Sequence, residues 1–294
     1  MTSAFQTPLI LPLEDEENII QELNVSLLPS LPKEEKGQVL PRYHYKGFWY
    51  SHKFLLGMLI CRKYFKARDC DVVLSILHKS STTWLKALSF SIINRARYPR
   101  AQQKHPLLTS NPHQLVPFLE INLYVDNRIS HLYSAAPSPA LVSTHLAYSA
   151  LPESTTSVEI LEMFWYLIES LAIWHFASRI KEYKTEPSQA LEDAFEMFCA
   201  GVFICGPYWD HVLQYWKASL ENPEKVLCLR FEDLKRDEVS QLKRLADFLG
   251  HPFPPEEEDE GGDGGHLAAV QLQEFEQSGG EQGRKDDQLW EASG

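Results

Sequence analysis

Apolar positions along the chain alternate between short continuous runs and stretches with helical period. DVVLSIL, from Asp71 to Leu77, has strand length and is rich in β-branched side chains. From Trp84 the period changes: Trp84, Leu85, Leu88 and Ile92 mark one face of a helix. Upstream, Phe54, Leu55, Met58 and Leu59 have helical spacing after an aromatic cluster, YHYKGFWYSHKF. Downstream, NPHQLVPFLE reads as a turn and a short helix, and ALVSTH as a short strand ended by a polar loop. Residues 158–184 read as one long helix and residues 186–202 as another. In PYWDHVLQYWKASLENP, the residues Trp209, Val212, Leu213 and Trp216 share one helical face. KVLCLRF is a strand. DEVSQLKRLADFLGHPF is a helix in which Val239, Leu242, Leu245, Ala246 and Leu249 keep the 3.6-residue period, ended by Gly250 and Pro252. Strands alternating with helices predict an α/β fold, a single domain around a central, mostly parallel sheet.

Composition separates the two ends from this body. Residues 1–40 are rich in Pro and acids and predict an irregular arm. Residues 256–294, with EEEDEGGDGG, are acidic and Gly-rich and predict a disordered tail. The chain has 294 residues and a net charge of −12. From His251 to Gly294 there are twelve Asp or Glu against two Lys or Arg, so the tail carries −10 and residues 1–250 only −2. That balance argues against a nucleic-acid partner but leaves room for a local basic pocket that takes an anion. The five cysteines include no CxxC pair, which argues against a disulfide framework or zinc site and for a reducing compartment. No metal-ligand cluster is evident. The N-terminus lacks the basic region of a signal peptide, and the most apolar window, residues 158–178, holds Glu159, Glu162 and Glu169, so no membrane span is expected. A cytoplasmic protein follows.

Between strand and helix lies HKSSTT, with Lys79, Ser80, Ser81, Thr82 and Thr83. A helix N-terminus with unpaired N–H groups is an anion site. A lysine adds charge and the hydroxyls add donors, the physics of a phosphate cradle. The nucleotide P-loop pattern G-x-x-x-x-G-K-[ST] is absent, because no glycine occurs between Gly57 and Gly201, and this disfavours a P-loop kinase. From these residues alone, a phosphate cradle and a loop lysine before a well-capped helix stand level.

HKSSTTWLKAL resembles the P-K-S-G-T-T-W loop of the cytosolic sulfotransferases, especially those of plants. The resemblance runs on in family order through YKGFWYSHKF, FKARDCDVVL, HPLLTSNPHQLVPFLE, THLAYSALPES, GPYWDHVLQYWKASLENPEKVL and FEDLKRDEVSQLKRLADFLGHPF, roughly residues 40 to 255. It implies a sulfotransferase domain over 41–255 with a P-loop-like strand–loop–helix. It also implies 3′-phosphoadenylyl sulfate as donor, a small-molecule hydroxyl (phenolic, flavonoid or steroid-like) as acceptor, and no metal. By the same resemblance Lys79 would stabilise the leaving phosphate. Ser80, Ser81, Thr82 and Thr83 would line the donor's phosphosulfate, and Trp84 would lie near its adenine. His145, in THLAY, would take the proton from the acceptor hydroxyl, work suited to an imidazole.

The chain departs from the family at 156–172. Aligned on Trp174, His175 and Phe176, the Arg and Ser that grip the donor's 3′-phosphate fall on Phe164 and Ala172. The family's C-terminal R-K-G segment has no match in spacing; Arg284 and Lys285 are the tail's basic pair. Within the loop, His78 replaces Pro and Ser81 replaces Gly, and Phe231 stands where the family has Tyr. Losing a charge-assisted phosphate contact costs about 2–3 kcal/mol. Two readings stay open: a sulfotransferase with weakened donor binding, and an impaired protein that at most binds a small ligand.

Overall fold

A computed structural model describes residues 18, 20–34, 41–77, 82–98, 105–123, 139–164 and 187–254. The aromatic cluster builds a small antiparallel sheet of β1 (Lys33–Glu34), β2 (Arg42–Tyr45) and β3 (Phe48–Ser51). Lys46 and Gly47 turn the β2–β3 hairpin with φ of 49° and 90°. Two left-handed residues match the twist of the flanking strands, and Gly47 adopts that backbone without a Cβ penalty. Ser51 then caps α1 (His52–Tyr64), its hydroxyl accepting from the Phe54 N–H at 3.5 Å. Phe54, Leu55 and Met58 are buried as their spacing predicts, and Leu59 is partly buried.

The main body follows in the order β4 (Val72–Ile76), α2 (Thr82–Asn94), α3 (Pro112–Leu115), β5 (Leu141–Thr144), β6 (Glu159–Phe164), α4 (Pro187–Cys199), α5 (Tyr208–Glu221), β7 (Val226–Arg230), α6 (Phe231–Arg236) and α7 (Glu238–Phe248). Four strands pair in the order β5-β4-β6-β7, every pair parallel. This is the α/β sheet the alternation predicts. A parallel sheet is covered on both faces, which is why β4 and β5 are buried throughout. Alternate residues enter opposite cores: Val73, Val142, Ile160 and Val226 face α1 and α5, while Val72, Leu74, Leu141 and Leu161 face α2 and α7. Gly250, at φ 67°, stops α7.

Register also lines up Thr144, Ser75, Glu162 and Cys228 across the sheet. By the same alternation they share the α1/α5 side, and all four are buried.

Two expectations are corrected. The single helix over 158–184 is wrong at its start, because Glu159–Phe164 is a strand between β4 and β7; the rest, to 184, lies outside the described residues. A strand buried on both faces reads as a near-continuous apolar run, which periodicity does not separate from a buried helix. In α5 the apolar face is rotated. Trp209, Leu213 and Trp216 are 45–46% exposed, whereas His211, Tyr215 and Ala218 are buried. The Tyr215 hydroxyl donates to the Leu146 carbonyl at 2.8 Å, and His211 Nε2 lies 3.6 Å from Glu162 Oε1, so both polar tips turn inward. Within the arm expected to be irregular over 1–40, residues 20–34 hold helical turns at Leu23–Leu27 and Leu28–Ser30 ahead of β1; residues 1–17, 19 and 35–40, and the tail expected over 256–294, lie outside the described residues.

Candidate active site

Two strand ends meet here. β4 ends at Ile76 and α2 begins at Thr82, with Lys79 in the sequence between them. β5, its parallel neighbour, ends at Thr144, and His145 follows directly. The chain winds from β4 towards β5 on one side and from β6 towards β7 on the other. Open α/β sheets hold ligands outside the carboxyl ends of strands at such a reversal. The first turn of α2 brings its N–H groups to this place.

His145 is 4% exposed, with its ring against Phe118 (4.4 Å between centroids) and Phe54 (6.3 Å). Its Nδ1 donates to the Ile76 carbonyl oxygen. A carbonyl oxygen only accepts, so Nδ1 carries a proton, and in the neutral ring the lone pair is then on Nε2, the tautomer a general base needs. The backbone is held as firmly. Glu120 Oε1 accepts the His145 N–H at 2.7 Å, Glu120 Oε2 accepts the Thr144 hydroxyl at 2.9 Å, and that hydroxyl accepts the Leu146 N–H at 3.0 Å. Glu120 is fully buried, and burial lifts its carboxyl to about 6, opposed by these hydrogen bonds and by the nearby Lys86. The segment that carries it docks on β5: Phe118 bridges to Ser143, and the Ser143 N–H donates to the Pro117 carbonyl at 2.9 Å.

On the α2 side, Lys86 is buried completely. Its Nζ lies 3.1 Å from His113 Nδ1 and 3.3 Å from the Phe118 ring centroid. His113 Nε2 is 3.3 Å from the Thr83 hydroxyl. Burial pushes the Lys86 ammonium well down, while the Glu120 carboxylate acts the other way. Asn111 holds α3 by accepting the His113 N–H at 2.9 Å. Trp84 packs edge-on to Phe231 (5.8 Å), and Lys235 Nζ stands 4.3 Å over the Trp84 ring.

Of the residues singled out in the sequence, Thr82, Thr83, Trp84 and His145 are brought to these two strand ends, while Lys79, Ser80, Ser81 and Ala172 lie outside the described residues. Phe164 is the last residue of β6, paired in register with Arg230. Glu120, Lys86 and His113 were not singled out by sequence reasoning. A lone carboxylate within VPFLEINL and a lone lysine within WLKAL were the available signals, since charges inside apolar runs are buried only when partnered. Among the described residues there is no group of three or more His, Cys, Asp or Glu that could hold a metal.

A parallel sheet whose neighbouring strand ends carry a hydroxyl-bearing helix N-terminus and a histidine with a protonated Nδ1 is an arrangement suited to binding an anion beside a base. A sulfotransferase domain model matches residues 69–262. Cytosolic sulfotransferase 12 of Arabidopsis thaliana is 41% identical over 268 residues, 88% of this chain and 78% of the relative. Cytosolic sulfotransferase 5 of the same plant is 40% identical over 250 residues, 82% and 76% of the two chains. The crystal structure of an Arabidopsis thaliana sulphotransferase superposes with a TM-score of 0.73 at 36% identity, over 98% of this chain and 99% of that one. A mouse sulfotransferase complexed with PAP shares the fold, with a TM-score of 0.57 at 22% identity over 80% and 73% of the chains. The chain belongs to the plant cytosolic sulfotransferase family and is an enzyme of sulfuryl transfer.

Proposed function

We propose that this protein moves a sulfuryl group from 3′-phosphoadenylyl sulfate to a hydroxyl of a small molecule of phenolic, flavonoid or steroid-like type. One observation carries the reading. The Ile76 carbonyl, at the end of the strand that leads into the cradle, fixes the tautomer of His145 at the end of the neighbouring strand. The base and the anion site are thereby built on one rigid edge. In this reading the Nε2 lone pair of His145 takes the acceptor proton. Lys79 neutralises the charge that develops on the leaving phosphate, as positive charge does in phosphoryl transfer. Ser80, Ser81, Thr82 and Thr83 donate to the phosphosulfate, and Trp84, backed by Phe231, lines the adenine side. The site requires no metal. Residues 41–255 form the transfer domain, and the relatives' cytosolic naming supports a cytoplasmic setting.

The second reading, a protein impaired in transfer, is favoured by Phe164, which ends β6 where the family has the Arg that grips the 3′-phosphate. Calorimetric titration with adenosine 3′,5′-bisphosphate separates the two. Micromolar binding supports transfer and justifies an acceptor screen with the sulfated donor. A folded sample that binds nothing overturns it.

A further inference from the structure

Lys86 is placed where an aliphatic side chain would be cheaper. It lies inside α2, fully buried, among Leu85, Ala87 and Leu88, and burying an amine is unfavourable unless it is hydrogen-bonded. Its partner is the imidazole of His113, and its charge rests on the face of Phe118. An ammonium has only donors, and a neutral amine keeps N–H donors too. Burial favours the neutral amine, while the Glu120 carboxylate and the Phe118 face oppose it, and either form keeps an N–H to direct at His113.

The consequence runs through the ring. When Lys86 Nζ donates to His113 Nδ1, the ring proton is on Nε2. Nε2–H then faces the Thr83 hydroxyl at 3.3 Å, and that oxygen accepts. A hydroxyl whose oxygen accepts from a ring N–H has its own proton left to donate elsewhere. With the opposite tautomer Thr83 would donate to Nε2 and present a lone pair, which repels an anion.

We propose that Lys86 and His113 are positioning residues that turn the Thr83 hydroxyl outward as a donor to the phosphosulfate of the sulfated nucleotide. This rests on the donor assignment made above. Neither residue touches the nucleotide. They set the polarity of a hydroxyl that does.

The test is a double-mutant cycle read by calorimetric titration with adenosine 3′,5′-bisphosphate. Lys86→Met keeps the length of the side chain and removes the donor. Lys86→Met and Thr83→Val should each weaken binding about tenfold, the scale of one hydrogen bond to a charged group. In the Thr83→Val background, Lys86→Met should add no further loss, because it acts only through the hydroxyl. His113→Gln, whose amide keeps an N–H towards Thr83, should bind within a few-fold of the native protein, whereas His113→Phe should match Thr83→Val. The His113 pair carries the same cycle if Lys86→Met does not fold. Equal losses in both Thr83 backgrounds, or no loss at all, overturn the inference while the donor assignment stands. Absence of binding by the unmodified, folded protein overturns the donor assignment and this inference with it.

Discussion

Replacing Glu120 by Gln removes a buried charge but only half of the hydrogen bonding it supports. The amide oxygen can still accept the His145 N–H, whereas the amide nitrogen offers the Thr144 hydroxyl no acceptor. A buried hydroxyl deprived of its acceptor costs about 1–3 kcal/mol. Against this stands the cost of the native charge. Burial lifts the Glu120 carboxyl from 4.5 to about 6. At about 1.4 kcal/mol per pH unit, ionising it in the folded state costs roughly 2 kcal/mol. The folded protein therefore binds this proton more tightly than the unfolded chain. Its contribution is complete below pH 4.5 and is lost as pH rises through about 6.

The glutamine variant has no such loss. It should be less stable than the native protein by about 1–3 kcal/mol near the acid end of this window, and nearly equal to it by about pH 7.5. Urea denaturation of both proteins across that range measures the gap, which should close by roughly 2 kcal/mol. Glu162, also raised by burial, is present in both proteins and cancels. Stability profiles that run parallel from end to end would refute the placement of an ionising carboxyl behind His145. The same variant should lower turnover more than it weakens nucleotide binding, because the group it loosens carries the base and not the cradle.

Three further outcomes are expected. Lys79→Ala and His145→Ala should each cut sulfuryl transfer by on the order of 100-fold or more in a labelled-donor assay; near-native turnover in either would sink that residue's role. Phe164→Arg should tighten adenosine 3′,5′-bisphosphate binding by about tenfold or more, as one restored ionic contact to phosphate would, and an unchanged affinity would mean that the end of β6 does not face the 3′-phosphate. Glu162 and His211 are both fully buried, with His211 Nε2 3.6 Å from Glu162 Oε1. His211→Leu should therefore destabilise by about 1–3 kcal/mol, the cost of leaving a buried polar group without its neighbour, while Glu162→Leu/His211→Leu together should be neutral or stabilising; additive losses in thermal unfolding would show that the two groups do not compensate each other.

The sequence was most legible where local physics decides the outcome. Val72–Ile76, Thr82–Asn94, Val226–Arg230 and Glu238–Phe248 form as their periods and caps predict. His145 and Thr83 were singled out through a motif, and the fold brings both to neighbouring strand ends. Where partners lie far apart in sequence, periodicity had nothing to report. Tyr215 and His211 look like the polar side of α5, yet their tips bond or pack inward on Leu146 and Glu162, leaving Trp209 and Trp216 half exposed. Glu120 reaches 25 residues along the chain to His145, and Lys86 reaches 27 to His113.

The stretch that departs most from the family is also the one whose element type was misread, and one cause underlies both. An interior parallel strand needs little beyond a short apolar run, so β6 occupies its place between β4 and β7 with EILEMF. The sheet accommodates the altered sequence. Glu162 stands in register beside Ser75, and Ser75 beside Thr144, whose hydroxyl Glu120 holds next to His145. The departure has thus placed a carboxyl two strands from the anchor of the proposed base, and an aromatic residue at the strand end where the family has its phosphate-binding Arg. The two changes lie at different levels of the sheet: Glu162 shares the row of Ser75 and Thr144, whereas Phe164 pairs with Arg230 at the strand end. The Glu162→Leu/His211→Leu double variant separates them, because it clears the buried carboxyl while leaving Phe164 in place. Turnover that rises in the double variant with nucleotide affinity unchanged would show that the row of Glu162 limits transfer; turnover that rises only when Phe164→Arg is added would show that the 3′-phosphate contact limits it.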